Sequence, residues 1–302
     1  MGTANEVQHF LRTGDHDAHC RAWPGDRIER ERRAHEELRQ ALIEEVQRRT
    51  ATGPVEERLQ GVDTVTLTRR KVEPMVRGLF PALEQDAVLS LLENSVVFLT
   101  PANIVEVLLE SSWLSTAWDL ANLYLLSVGA ELLGPEAPQL LGLSEGTTCY
   151  VSLSYFDETS PFADYLVHEA AHVFHNCKRH DVGLPETRRR EWLLNIDYRK
   201  RETFAYACEA YSRILETGGS RQARMALAND YATSAALCDE RVSVREVVEA
   251  VREAAAARNG WTRILARCAP STSAGTRASV TAATTAQRHG PEDLSGPPSP
   301  TR

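Results

Sequence analysis

Five residues constrain this chain more than any others. His168-Glu169-Ala170-Ala171-His172 reads H-E-x-x-H inside the apolar run Leu166–Phe174. On a helix, residues four apart lie one turn apart on the same face, so the two imidazoles can aim at one point. Neutral imidazole is a good zinc ligand, and two on one rigid turn come largely pre-oriented. Glu169 sits roughly 100° around the helix from His168, placed to act on a metal-activated water without being a ligand. Ser160-Pro161 supplies an N-cap followed by proline at the first helical position, so the spacing predicts a helix from there through about residue 178. A buried helix carrying two hydrogen-bonded histidines is the alternative reading of the same residues.

A catalytic zinc site needs a third protein ligand and an open position for water. The segment from Tyr198 to Leu215 reads as a second long helix, closed by Gly218-Gly219, and it offers Glu202 and Glu209 on one face. Glu209 has an i,i+4 partner in Arg213, whereas Glu202 has Tyr206 at that position. Glu202 is therefore the favoured third ligand. Glu209 remains the alternative, or an acceptor behind a ligand imidazole. His175, His180, Tyr198 and Tyr206 are the candidates to donate a hydrogen bond to a developing oxyanion. His175 and Tyr206 lie one turn beyond ligand positions.

The segment Leu166–His175 followed by Glu202-Thr203-Phe204-Ala205-Tyr206 resembles the gluzincin metallopeptidases, over about residues 146–217. That resemblance implies Zn2+ held by His168, His172 and Glu202, with Glu169 as general base; Tyr206 and His175 are candidate catalytic residues by their helical position alone. It implies a peptide or protein substrate, and it casts the strand 147–155 as the cleft-lining edge strand. The metzincin pattern does not fit, because His175 and His180 fall at other spacings. Deformylases complete a similar site with a cysteine, but Cys149 stands in a different local setting and reads as an inert buried thiol.

The fold class predicted is α+β, mainly helical: a small sheet packed on the H-E-x-x-H helix, with a helical C-terminal part. The expected units are an N-terminal arm and charged helix (1–60), a zincin-like catalytic core (61–218), C-terminal helices (219–268) and a disordered tail (269–302). The tail is Ser, Thr, Ala, Gly and Pro with almost no large apolar residue, too little to bury. Residues 1–25 read as a frayed terminus. Residues 26–49 are dense in Glu and Arg with a thin stripe of Ile28, Leu38, Leu42, Ile43 and Val46. They read as an amphipathic helix lying across the core, or docking a protein partner. Val62–Thr68 alternates and reads as a strand, Pro81–Leu92 as a helix and Ser95–Leu99 as a short strand. Residues 101–133 read as one broken or two consecutive helices. In 147–155, Cys149, Val151, Leu153 and Tyr155 face one way and Thr148, Tyr150, Ser152 and Ser154 the other.

A net charge of −8 argues against a nucleic-acid-binding surface. The six cysteines are scattered, with no C-x-x-C. No signal peptide is legible, and the most apolar stretch, 113–133, carries Asp119, Asn122 and Glu131. These features predict a soluble, reduced, cytoplasmic protein. Beside the peptidase stand two further readings. One is a non-catalytic zinc-stabilised interaction module; the other is a protease restricted to one dedicated partner.

Overall fold

A computed structural model describes residues 2–50, 58–188, 190–234 and 242–270. The chain runs through α1 (Thr3–Thr13), α2 (Arg27–Thr50), α3 (Thr64–Leu79), α4 (Ala82–Glu93), β1 (Val96–Phe98), α5 (Ile104–Glu110), α6 (Leu114–Ser127), β2 (Gly142–Glu145) and β3 (Thr148–Val151). It continues through α7 (Tyr165–Asn176), α8 (Arg201–Thr217), α9 (Arg221–Ser234), α10 (Val244–Ala256) and α11 (Gly260–Cys268). It is mainly helical, with one small sheet, as the class α+β requires. Thr52-Gly53-Pro54, which as a sequence ends the charged helix, lies outside the described residues, as do residues 235–241 and the tail from 271.

The sheet has the order β1-β3-β2, with β1 parallel and β2 antiparallel to β3. It is covered on both faces and separates two hydrophobic cores. Cys149 and Val151 of β3 turn into a core built from α3, α4, α7, α8, α10 and α11. Tyr150 turns into the other, built from α1, α2, α5 and α6. Alternation along β3 thus places successive side chains in different cores. The strand is shorter than expected, because Ser152 caps a 3-10 turn over Leu153–Asp157 through its side chain. It is also central, not an edge: β1 and β2 are the edges, and β2 is the one packed on α7.

Two local expectations are overturned. Val62–Thr68 is not a strand. Asp63 caps α3, its Oδ1 accepting from Thr66 N at 3.1 Å and its Oδ2 from the Thr66 hydroxyl at 2.6 Å. Thr68, Val72, Met75 and Val76 then recur at helical spacing and are fully buried, which outweighs the β-branched alternation of the first turn. Residues 2–25 are not frayed either. Phe10 and Trp23 are buried, Trp118 Nε1 donates to Leu11 O at 2.9 Å, and Trp23 Nε1 donates to Glu37 at 2.8 Å.

The apolar stripe of α2 faces inward except at its start: Leu38, Leu42, Ile43 and Val46 pack in the second core against α1, α5 and α6, whereas Ile28 in the first turn is exposed. Each such burial contributes about 1.5–3 kcal/mol, so that stripe serves the fold and is not free to dock a partner. No helix among the described residues is long and apolar enough to cross a membrane.

Candidate metal centre

The H-E-x-x-H segment is helical and lies within α7. Its cap is Asp164, not Ser160: the Asp164 side chain accepts from Val167 N at 3.3 Å. The reason is tertiary. Lys71 Nζ of α3 stands 2.8 Å from Asp164 Oδ2, and Glu209 Oε1 of α8 accepts the Asp164 backbone N–H at 2.9 Å, so Asp164 is gripped from two neighbouring helices. Leu166, Val167, Ala170, Ala171, Val173 and Phe174 fill the core. The alanines present small surfaces along the α7–α8 contact.

That packing brings His168, His172 and Glu202 together, one ligand atom from each lying within 4.8 Å of the others. Glu202 Oε2 is 3.6 Å from His168 Nε2 and 3.5 Å from His172 Nε2. Two ligands held at zinc bond lengths around a tetrahedral ion stand about 3.4 Å apart, so these spacings suit one ion. Two imidazoles and a carboxylate are also a donor set that zinc accepts.

The outward nitrogen of each imidazole is partnered too, as a ligand histidine requires. His168 Nδ1 meets Glu209 Oε2 at 3.0 Å, and His172 Nδ1 meets His175 Nε2 at 3.4 Å. Glu209 therefore stands behind the cluster and Glu202 inside it. Arg213, the expected partner of Glu209, instead turns to the Pro161 carbonyl and to Glu216.

The cluster is electrostatically coupled. Burial alone would lower His168, but hydrogen bonds to Glu202 and Glu209 push it up to about 10 in the metal-free protein. Burial would raise Glu202, but its bonds to the two imidazoles hold it well below the usual carboxylate range. Glu169 is different: buried, with desolvation dominant, its carboxyl is pushed up. It lies outside the three-residue group and against β2, where Ser144 hydrogen-bonds it and Gly142 abuts it.

The remaining candidates separate. The Tyr206 ring stands edge-on to the His168 ring, centroids 4.5 Å apart. His175 is buried on the far side of His172 from Glu202, and desolvation, with Arg201 nearby, pushes it down to about 2, so it is a neutral imidazole. That position places its ring behind His172. Tyr198 is exposed beneath the Arg201 guanidinium, and His180 is exposed and paired with Asp181 and Glu186. Cys149 is fully buried, its thiol pushed well above the usual value by desolvation, and it is not in the cluster.

Gly142, Ser144 and Lys71 went unseen in the sequence. A four-residue strand carries too little pattern to register, and the one signal at Lys71 was rarity, since the chain has three lysines. Fold and site together define a mainly helical α+β chain with a two-histidine, one-carboxylate cluster. No protein-family model, curated protein or solved structure matches it.

Proposed function

We propose that this chain is a zinc-dependent peptidase of the gluzincin kind, with His168, His172 and Glu202 holding the ion and Glu169 as general base. The observation that carries the reading is the division of labour in α7. The Nε2 atoms of His168 and His172 both face Glu202, while Glu169 is turned onto β2 and held apart from the group.

When bound, zinc supplies a Lewis acid and an acidified water. Glu169, whose carboxyl burial pushes up, would be the base that holds a proton during hydrolysis and hands it on to the leaving amine. Glu209 and His175 keep the two ligand rings oriented from behind. Tyr206, beside His168, is the residue we assign to donate to the developing oxyanion. Because β3 is central, the edge strand we assign to receive an extended peptide is β2, whose Gly142 and Ser144 touch Glu169.

A purely structural zinc site is closed by four protein donors. Among the described residues the group has three, which favours an open catalytic position. The test is Glu169→Gln, with zinc measured by atomic emission and cleavage by a fluorogenic peptide library. Zinc content should stay at the wild-type level while cleavage falls by about 10²–10⁴-fold. Undiminished cleavage by the variant, or a wild-type protein that takes up no zinc, overturns the assignment.

A further inference from the structure

We infer that a cleft at the N-terminal end of α7 binds a small organic anion, a carboxylate or phosphate head on a flat apolar body. The cleft measures about 550 Å³ and lies between α3, the 3-10 turn after β3 and the start of α7. That is within the range of small-molecule sites. None of His168, His172 and Glu202 lines it, and the inference does not depend on the peptidase reading.

Three carboxylates line the cleft, and every one of their oxygens is already engaged. Asp63 caps α3 through both oxygens. Glu158 accepts Ser160 N at 2.6 Å and the Tyr165 hydroxyl. Asp164 accepts Val167 N and pairs with Lys71. Three cations line it as well, and on that side capacity is left over. Lys71 is held between Asp164 and Glu216. Arg213 uses Nε on the Pro161 carbonyl and Nη1 on Glu216, which leaves Nη2 without a partner among the described residues. Arg70 makes no hydrogen bond or ion pair among the described residues.

The charges cancel in number, but the free hydrogen-bonding capacity does not. A cation entering the cleft meets engaged carboxylates, whereas an anion meets two guanidinium groups able to give charge-assisted bonds. Leu67 and the rings of Tyr155 and Phe156, packed edge-on with centroids 5.3 Å apart, form an apolar wall suited to a flat body.

The full-length chain is titrated with phenyl phosphate and benzoate as the two anionic heads, and with benzyl alcohol and benzylamine as neutral and cationic isosteres, by calorimetry. At least one anion should bind at least tenfold more tightly than either isostere, and the tighter anion identifies the head. Arg70→Gln should weaken that anion by about tenfold to a hundredfold, the worth of one charge-assisted bond. Arg70 is exposed, so the variant should unfold at the wild-type temperature, and this is checked alongside. The inference is overturned if neither anion binds, if benzyl alcohol or benzylamine binds as well, or if Arg70→Gln leaves the affinity unchanged.

Discussion

Gly142 of β2 lies against the Glu169 side chain of α7. A Cβ at position 142 would stand 2.6 Å from Glu169 Cγ and 2.7 Å from Oε1. These separations are shorter than any ordinary carbon contact, so Gly142→Ala must move something. The carboxylate end of Glu169 can rotate, whereas the strand is held by its ladder to β3. The expected result is a displaced base in an intact fold: cleavage reduced about 10²-fold, since misplacement of a reacting group by about 1 Å costs that much. Zinc content and unfolding temperature should stay near wild type. Full cleavage by the variant would show that Glu169 is not the group whose position matters.

Glu202 and Glu209 are separated by their metal affinities. Glu202→Ala removes a proposed ligand and should abolish stoichiometric zinc uptake. Glu209→Ala removes only the acceptor behind His168 and should weaken binding about 10–100-fold. Stripping zinc from the wild type with a chelator should lower its unfolding temperature, because the ion binds only the folded state, and Glu202→Ala should not respond to the chelator. If Glu209→Ala loses the metal and Glu202→Ala keeps it, the two roles are exchanged.

Lys71 and Asp164 form a buried pair, their side chains 11% and 1% exposed. Burial pushes the Asp164 carboxyl up even with the cation beside it. Removing one partner of such a pair leaves an uncompensated charge, so Lys71→Met should cost about 3 kcal/mol, with Lys71→Arg much milder. Urea unfolding reads this directly. A loss below about 0.5 kcal/mol would mean that the cap of α7 does not depend on α3.

Glu45 supplies a pH dependence remote from the cluster. Hydrogen bonds from Arg48 and then Arg49, each at 2.7 Å, hold its carboxyl down to about 2. A depressed carboxylate stabilises the fold above its unfolded value of about 4.5, and that contribution fades as pH falls toward 2. The wild type should therefore melt about 1–3 °C above Glu45→Gln at pH 6, the size expected of a partly exposed pair. The gap should narrow steadily below pH 4.5. A gap that widens on acidification would contradict the sign.

How much of this was legible depends on the range of the interaction. The helical spacing of His168 and His172, the second helix bearing Glu202 and Glu209, and the alternation of Cys149, Tyr150 and Val151 are local patterns, and each has its counterpart in the fold. One misreading was itself local: Val62–Thr68 alternates like a strand, but the Asp63 cap and the helical spacing of Thr68, Val72 and Met75 make it a helix. The others came where a distant partner decided. Ser160-Pro161 has the form of a cap, but Lys71 and Glu209 fix Asp164 in that role. The polar first turns of the chain show nothing of the second core that buries Phe10 and Trp23.

What the sequence by itself determined is which side chains share a face: two imidazoles one turn apart, two glutamates two turns apart, a base offset around the same helix. Backbone geometry repeats every few residues, so such relations need no knowledge of the rest of the molecule. Only the tertiary structure decided which faces meet. The contact of α7 with α8 turns Glu202 toward both Nε2 atoms and Glu209 toward the outward nitrogen of His168, and the sheet order makes β2, not β3, the edge strand against Glu169. Those choices follow from how whole surfaces pack against one another, which no local spacing encodes.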